Sequence, residues 1–147
     1  AATEGARALG NCSRHADVRL ALVRTRAHEA LVLLLAHSSD SVLLAVCGAL
    51  INLSADPMLR DALDGAGAAE MLADLLEHLL GDATAPPELC TLASKIMYNL
   101  CLGAPAVPLS GTQLLQLVDA LDHFTTAHAP HAKAAAPAEA VRVASVL

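Results

Sequence analysis

The sequence predicts an all-α fold in which three-helix repeats stack on one another. Three observations carry this reading. The chain is rich in Ala and Leu and holds one Tyr, one Phe and no Trp, with 55% hydrophobic residues. Ala and Leu favour helices, and the shortage of β-branched and aromatic residues speaks against a sandwich or barrel. Apolar residues recur three and four positions apart, the spacing of one helix face. Finally, the chain matches itself without a gap at an offset of 41 residues. Ala8-Leu9-x-Asn11-x-Ser13 returns as Ala49-Leu50-x-Asn52-x-Ser54, and Arg19, Leu22, Glu29, Leu31 and His37 fall on Arg60, Leu63, Glu70, Leu72 and His78. A period in the low forties belongs to repeats of two or three helices.

The elements follow in chain order. Residues 1–13 read as the end of one repeat and 14–54 as the next. A long helix from about Ser41 to Ser54, capped by Ser39 or Asp40, buries Val42, Val46, Ala49, Leu50 and Leu53. The following repeat, 55–103, opens with Asp56-Pro57, an N-cap followed by proline at the first helical position. A short helix from Pro57 to Asp64 ends at Gly65 and Gly67, where a left-handed turn costs little. A second helix, Ala68 to about Leu80, aligns Met71, Leu72, Leu75, Leu76, Leu79 and Leu80 on one face. Asn99 follows Asn52 by 47 residues, and the six extra residues fit a loop over 81–87. Residues 104–147 read as a degenerate, truncated repeat. Pro105 and Pro108 prevent a regular short helix; Ser110-x-x-Gln113 restarts a helix carrying Leu114, Leu115, Leu117, Val118 and Leu121; 125–136 connect to a last helix from Pro137. Leu fills the core between repeats, and the matched alanines Ala8 and Ala49, and Ala21 and Ala62, let helices approach closely.

Composition and motifs exclude several functions. A net charge of −6 with almost no aromatics gives neither the basic face nor the stacking platforms of a nucleic-acid binder. In the first half the longest charge-free stretch, 41–55, is shorter than the ~20 residues of a spanning helix, so no membrane role is expected. The N-terminal residues lack the basic and apolar regions of a signal peptide, and both ends read as cut from a longer chain. Cys12, Cys47, Cys90 and Cys101 form no C-x-x-C pair; on apolar-periodic stretches they read as buried small hydrophobes in a reducing compartment. No phosphate-binding loop, nucleophile elbow or zinc-protease motif occurs, so no catalytic residue, metal or cofactor is expected. His123, His128 and His131 lie in an Ala/Pro-rich stretch with no fixed ligand geometry, and nothing orients Cys101 against His123.

Cys47-Gly48-Ala49-Leu50-Ile51-Asn52-Leu53-Ser54, then Arg60, Gly65-Ala66-Gly67-Ala68 and the leucines from Leu72 to Leu76 resemble an armadillo repeat. The resemblance spans nearly all of residues 1–121 and is strongest in the second copy. It implies a right-handed superhelix, an armadillo-type α-solenoid, whose function lies on a concave groove lined by the third helix of each repeat. The same string, with Asp56, Asp74 and the stretch from Lys95 to Asn99, resembles a ciliary and flagellar branch of that family, associated with radial-spoke assembly and transport. The implied role is a cytoplasmic, axonemal scaffold whose partners are axonemal or transport proteins. The alternative that the family also implies is the substrate-recognition region of a ubiquitin ligase or another signalling adaptor.

The resemblance places Asn11, Asn52 and Asn99 in a ladder along the groove. A side-chain amide donates and accepts, so it suits the backbone of an extended peptide; equally it can tie its helix end to the next repeat. Four residues earlier stand Arg7, Gly48 and Lys95, on the same helix face. In nuclear-import adaptors of the family that position carries Trp, which shelves a basic peptide. Here it is cationic at two of three places, which points to an acidic or mixed partner segment, extended or helical. Arg19 and Arg60 are expected to bond carbonyls or acids of the neighbouring repeat. Arg14, Arg19, Arg24 and Arg26 with His15 and His28 make the first short-helix region basic, opposite an acidic second copy.

Overall fold

The computed structural model describes residues 2–82, 84–102 and Gly111, and every regular element among them is helical. Seven α-helices follow in order: α1 (Ala2–Cys12), α2 (Ala16–Arg24), α3 (Ala27–Leu33), α4 (Asp40–Ser54), α5 (Arg60–Gly65), α6 (Ala68–Gly81) and α7 (Pro87–Cys101). Short 3₁₀ turns, Leu34–Ala36 and Pro57–Leu59, extend α3 and precede α5. The expectations placed on 103–110 and 112–147, including the restarted helix after Ser110 and the histidines beyond it, lie outside the described residues.

α4 is the centre of the molecule. It lies between α1 and α7, its two most extensive neighbours, while α3 and the turn after it pack on another side. Nine of its fifteen residues are buried, among them all five expected from the periodicity. Of the two expected N-cap residues, Ser39 takes the position and Asp40 opens the helix, but the Ser39 hydroxyl meets Ser41 Oγ at 3.0 Å instead of bonding a helix N–H. At the next helix start the expectation holds in full, since Asp56 Oδ1 accepts the Met58 N–H at 3.2 Å ahead of Pro57. The predicted short helix nevertheless splits into a 3₁₀ turn and the six-residue α5.

The corner between α5 and α6 turns at Gly67, whose φ of +75° is left-handed; among the described glycines it alone is positive, and Gly65 simply closes α5. Its counterpart in the first copy is Arg26, also left-handed at φ +59°. α6 buries Leu72, Leu75, Leu76, Leu79 and Leu80 and half-buries Met71, as its spacing predicts.

Close helix approach follows the expectation at Ala49 but not at Ala8 or Ala21. Ala8 and Ala21 are exposed, whereas Gly10 faces the α4 backbone so closely that a Cβ there would stand 3.5–3.6 Å from Ala49 N, Ala45 O and Gly48 C. Ala49, one of the matched alanines, is fully buried, and its backbone N is among the atoms nearest Gly10, so small residues of both helices meet at the α1–α4 crossing. Cys12 is likewise exposed, while Cys47, Cys90 and Cys101 are buried as expected. Burial pushes the Cys47 thiol up to about 12, so it behaves as an apolar side chain.

A candidate protein-binding face on three adjacent helices

The ends of α1, α4 and α7 are tied together by the asparagines. Asn52 Nδ2 donates to Gly10 O at 3.1 Å and to Ser13 Oγ at 2.9 Å, and Ser13 Oγ donates to Gly10 O at 2.8 Å. The motif recurs one step on: Asn99 Nδ2 donates to Ser54 Oγ at 3.1 Å, and Ser54 Oγ to Ile51 O at 3.2 Å. Ser13 and Ser54, both fully buried, are the matched serines that close the repeated Asn-x-Ser string. Each asparagine thus spends its amide nitrogen on the preceding helix and sets the register between neighbours. Asn11 is exposed, and its side chain bonds nothing among the described residues.

The arginines repeat in the same way. Arg19 Nη1 donates to Ser13 O at 3.2 Å and Arg14 O at 3.0 Å; Arg60 Nε donates to Ser54 O at 2.9 Å. Both satisfy carbonyls left open at a helix C-terminus. Arg19 also grips Asp56 Oδ2 with Nε at 3.3 Å and Nη2 at 3.0 Å, so Asp56 caps one helix and holds the arginine of the previous copy.

With the register fixed, one side of the three helices faces outward. Along α4, Leu44, Gly48 and Asn52 keep some exposure four residues apart, and Ala55 just past its end continues the line. The matching stripe on α1 holds Glu4, Arg7 and Asn11, and on α7 it holds Thr91, Lys95 and Asn99. Gly48 sits between the two cationic positions, and a Cβ there would meet nothing within 4 Å, so the stripe dips in its middle. Arg7 is exposed and 3.7 Å from Glu4, a pair that solvent screens. Lys95 is half-buried. At the C-terminal ends of the helices a shallow depression of about 340 Å³ is lined by Arg14, Arg19, Asn52, Ala55 and Asp56.

The depression adds a residue that the sequence pattern did not single out for this face. Arg14 is exposed at its rim, beside Arg19, which is already paired with Asp56. The basic region expected around the first short helix is correspondingly smaller. His28 is buried with Nδ1 3.4 Å from Leu22 O, and Arg26 pairs with Glu29 at 2.7 Å. Arg14, His15 and Arg24 are exposed and carry no side-chain ion pair among the described residues. Among the described residues no group of three His, Cys, Asp or Glu could hold a metal ion, and no single helix is long and apolar enough to cross a membrane.

No family model and no curated protein matches this chain. Among solved structures it is similar to an engineered protein determined by crystallography, with 22% identity and a TM-score of 0.63. The match covers 98% of this chain and 53% of the engineered one, so the chain spans about half the length of that structure. At this identity the likeness concerns the helical fold alone.

Proposed function

We propose that the chain is a segment of an armadillo-type α-solenoid that acts as a non-catalytic scaffold. It holds an acidic or mixed segment of a partner protein along the outward stripe of α1, α4 and α7. The observation that carries this reading is the open position of Gly48, set between Arg7 and Lys95 on helices whose register is locked by hydrogen bonds. A rigid, locally cationic trough without side chains at its centre suits an extended acidic strand. Arg14 at the end of the trough extends the same sign of charge. Because Asn52 Nδ2 is committed to α1, peptide contact at that position falls to its carbonyl oxygen, which accepts backbone N–H groups. The resemblance of the repeat string to a ciliary and flagellar branch supports a place in the axoneme, in radial-spoke assembly or transport.

Gly48→Glu tests the trough without disturbing the fold, since the added side chain has room and glutamate is the better helix former. In fluorescence polarisation a labelled oligoglutamate peptide should bind the unaltered chain and lose roughly tenfold in affinity to the variant, which places a like charge in its path. Equal binding to both, or a preference for oligolysine, would overturn the reading.

A further inference from the structure

The six residues that lengthen the step from Asn52 to Asn99 do more than connect two helices. α6 runs to Gly81, whereas the matching helix of the first copy ends its 3₁₀ extension at Ala36. The additional length of α6 and the turn after it overhang the start of α4. Together with the Leu35–Ser38 corner they enclose a cleft of about 470 Å³. Its floor is apolar, formed by Leu35, Leu43, Met71, Leu75 and Leu79. Among the described residues its rim carries three carboxylates, Asp40, Asp74 and Asp82, two histidines, His37 and His78, and no Lys or Arg.

The rim groups differ in what they already do. His37 Nδ1 accepts the Ser39 N–H at 3.0 Å, and Asp82 Oδ1 accepts both the N–H and the hydroxyl of Thr84, at 2.8 and 2.7 Å. The Thr84 hydroxyl bond keeps the Asp82 carboxyl below its ordinary range, so this group is anionic. Asp40 and Asp74 are exposed and have neither a hydrogen bond nor an ion pair from their side chains among the described residues. Two uncommitted carboxylates beside a leucine-lined hollow leave negative charge next to apolar surface with no cation answering it among the described residues.

We infer that this cleft is a second docking site, and that its occupant is a short segment of a partner protein with a bulky apolar side chain flanked by Lys or Arg. The apolar side chain fills the hollow over Met71 and Leu79; the flanking cation reaches Asp74 and Asp40. Leu43 lies about 180° around α4 from Asn52, so the cleft and the stripe open on opposite sides of one helix. The two sites prefer opposite charges. A scaffold built this way joins an acidic segment on one side to a basic, apolar-anchored segment on the other.

The test uses three labelled peptides of ten residues: arginines flanking a central Leu, the same with Ala at the centre, and glutamates flanking Leu. Fluorescence polarisation against the Gly48→Glu chain, whose trough is closed to acidic peptides, should show binding of the first, at least tenfold weaker binding of the Ala peptide, and no binding of the glutamate peptide. Asp74→Lys, an exposed helical position, and Asp40→Asn should each reduce binding of the Arg-Leu peptide, the former at least tenfold. Gly48→Glu should leave it unchanged, which separates this site from the trough. Equal affinity for the Leu and Ala peptides would mean charge adhesion alone and would overturn the inference. Binding indifferent to Asp74→Lys, or absent at millimolar peptide, would overturn it as well.

Discussion

Asn52, Asn99 and Asn11 stand at one position of the repeat and carry different loads. Asn52 donates two hydrogen bonds across to α1, Asn99 donates one to α4, and Asn11 makes none among the described residues. A net contribution of about 1 kcal/mol per bond sets the expected order of alanine substitutions: about 2 kcal/mol lost at Asn52, about 1 at Asn99 and near zero at Asn11, read by urea unfolding. The sequence left open whether these amides serve peptide or scaffold, because spacing places a side chain on a face without saying which atom is already bonded. The Ser13 and Ser54 hydroxyls that receive them sit in the same repeated string, yet only the three-dimensional register pairs each serine with the asparagine of the following copy. Arg26 offers a second contrast. It holds a left-handed φ of +59° where the matching residue is Gly67 at +75°, and an L side chain is strained there. Arg26→Gly should raise the melting temperature by about 2–4 °C in a calorimetric scan, despite loss of the solvent-exposed pair with Glu29. The matching site in the second copy differs accordingly: Glu70 Oε2 is buried without a hydrogen-bond partner among the described residues at the place where Arg26 pairs with Glu29.

At the scale of elements, periodicity made the long helices legible. α4, α6 and the predicted core of each were read from leucine and alanine spacing, and their ends fell within a residue or two of the structure. The short elements were less legible. The Pro57–Gly65 segment divides into a 3₁₀ turn and a brief helix, because the Asp56 cap and the Leu59 backbone tighten the first turn in a way that composition does not encode. Burial predicts how these elements open. α2 buries only Leu22 of nine residues, while α4 buries nine of fifteen between two neighbours. Native-state hydrogen exchange should therefore show α2 amides exchanging by local opening, and central α4 amides, around Val46 to Leu50, only by global unfolding. Equal protection of the two helices would contradict this placement of the core. The overhang of α6 had a visible cause in the six-residue insertion, but the hollow beneath it was not legible. A cavity depends on where two distant segments, 35–43 and 71–85, come to rest.

For the whole molecule, net charge says little about partners. The chain is acidic, yet the stripe of α1, α4 and α7 is locally cationic at Arg7, Lys95 and Arg14, and the carboxylates of Asp40, Asp74 and Asp82 gather at the other side of α4. Several cations counted from the sequence prove committed, Arg19 to Asp56 and Arg26 to Glu29, and His28 is buried, so surface charge could not be read from a residue list. The distribution gives the described residues two electrostatically distinct faces around one shared helix. Mapping backbone amide chemical shifts during titration with an oligoglutamate peptide tests that division most directly. The account predicts shifts concentrated at Arg7, Asn11, Gly48, Asn52 and Lys95, with the Asp74–Asp82 end of α6 unmoved. Shifts centred on α6, or spread evenly over the surface, would contradict it.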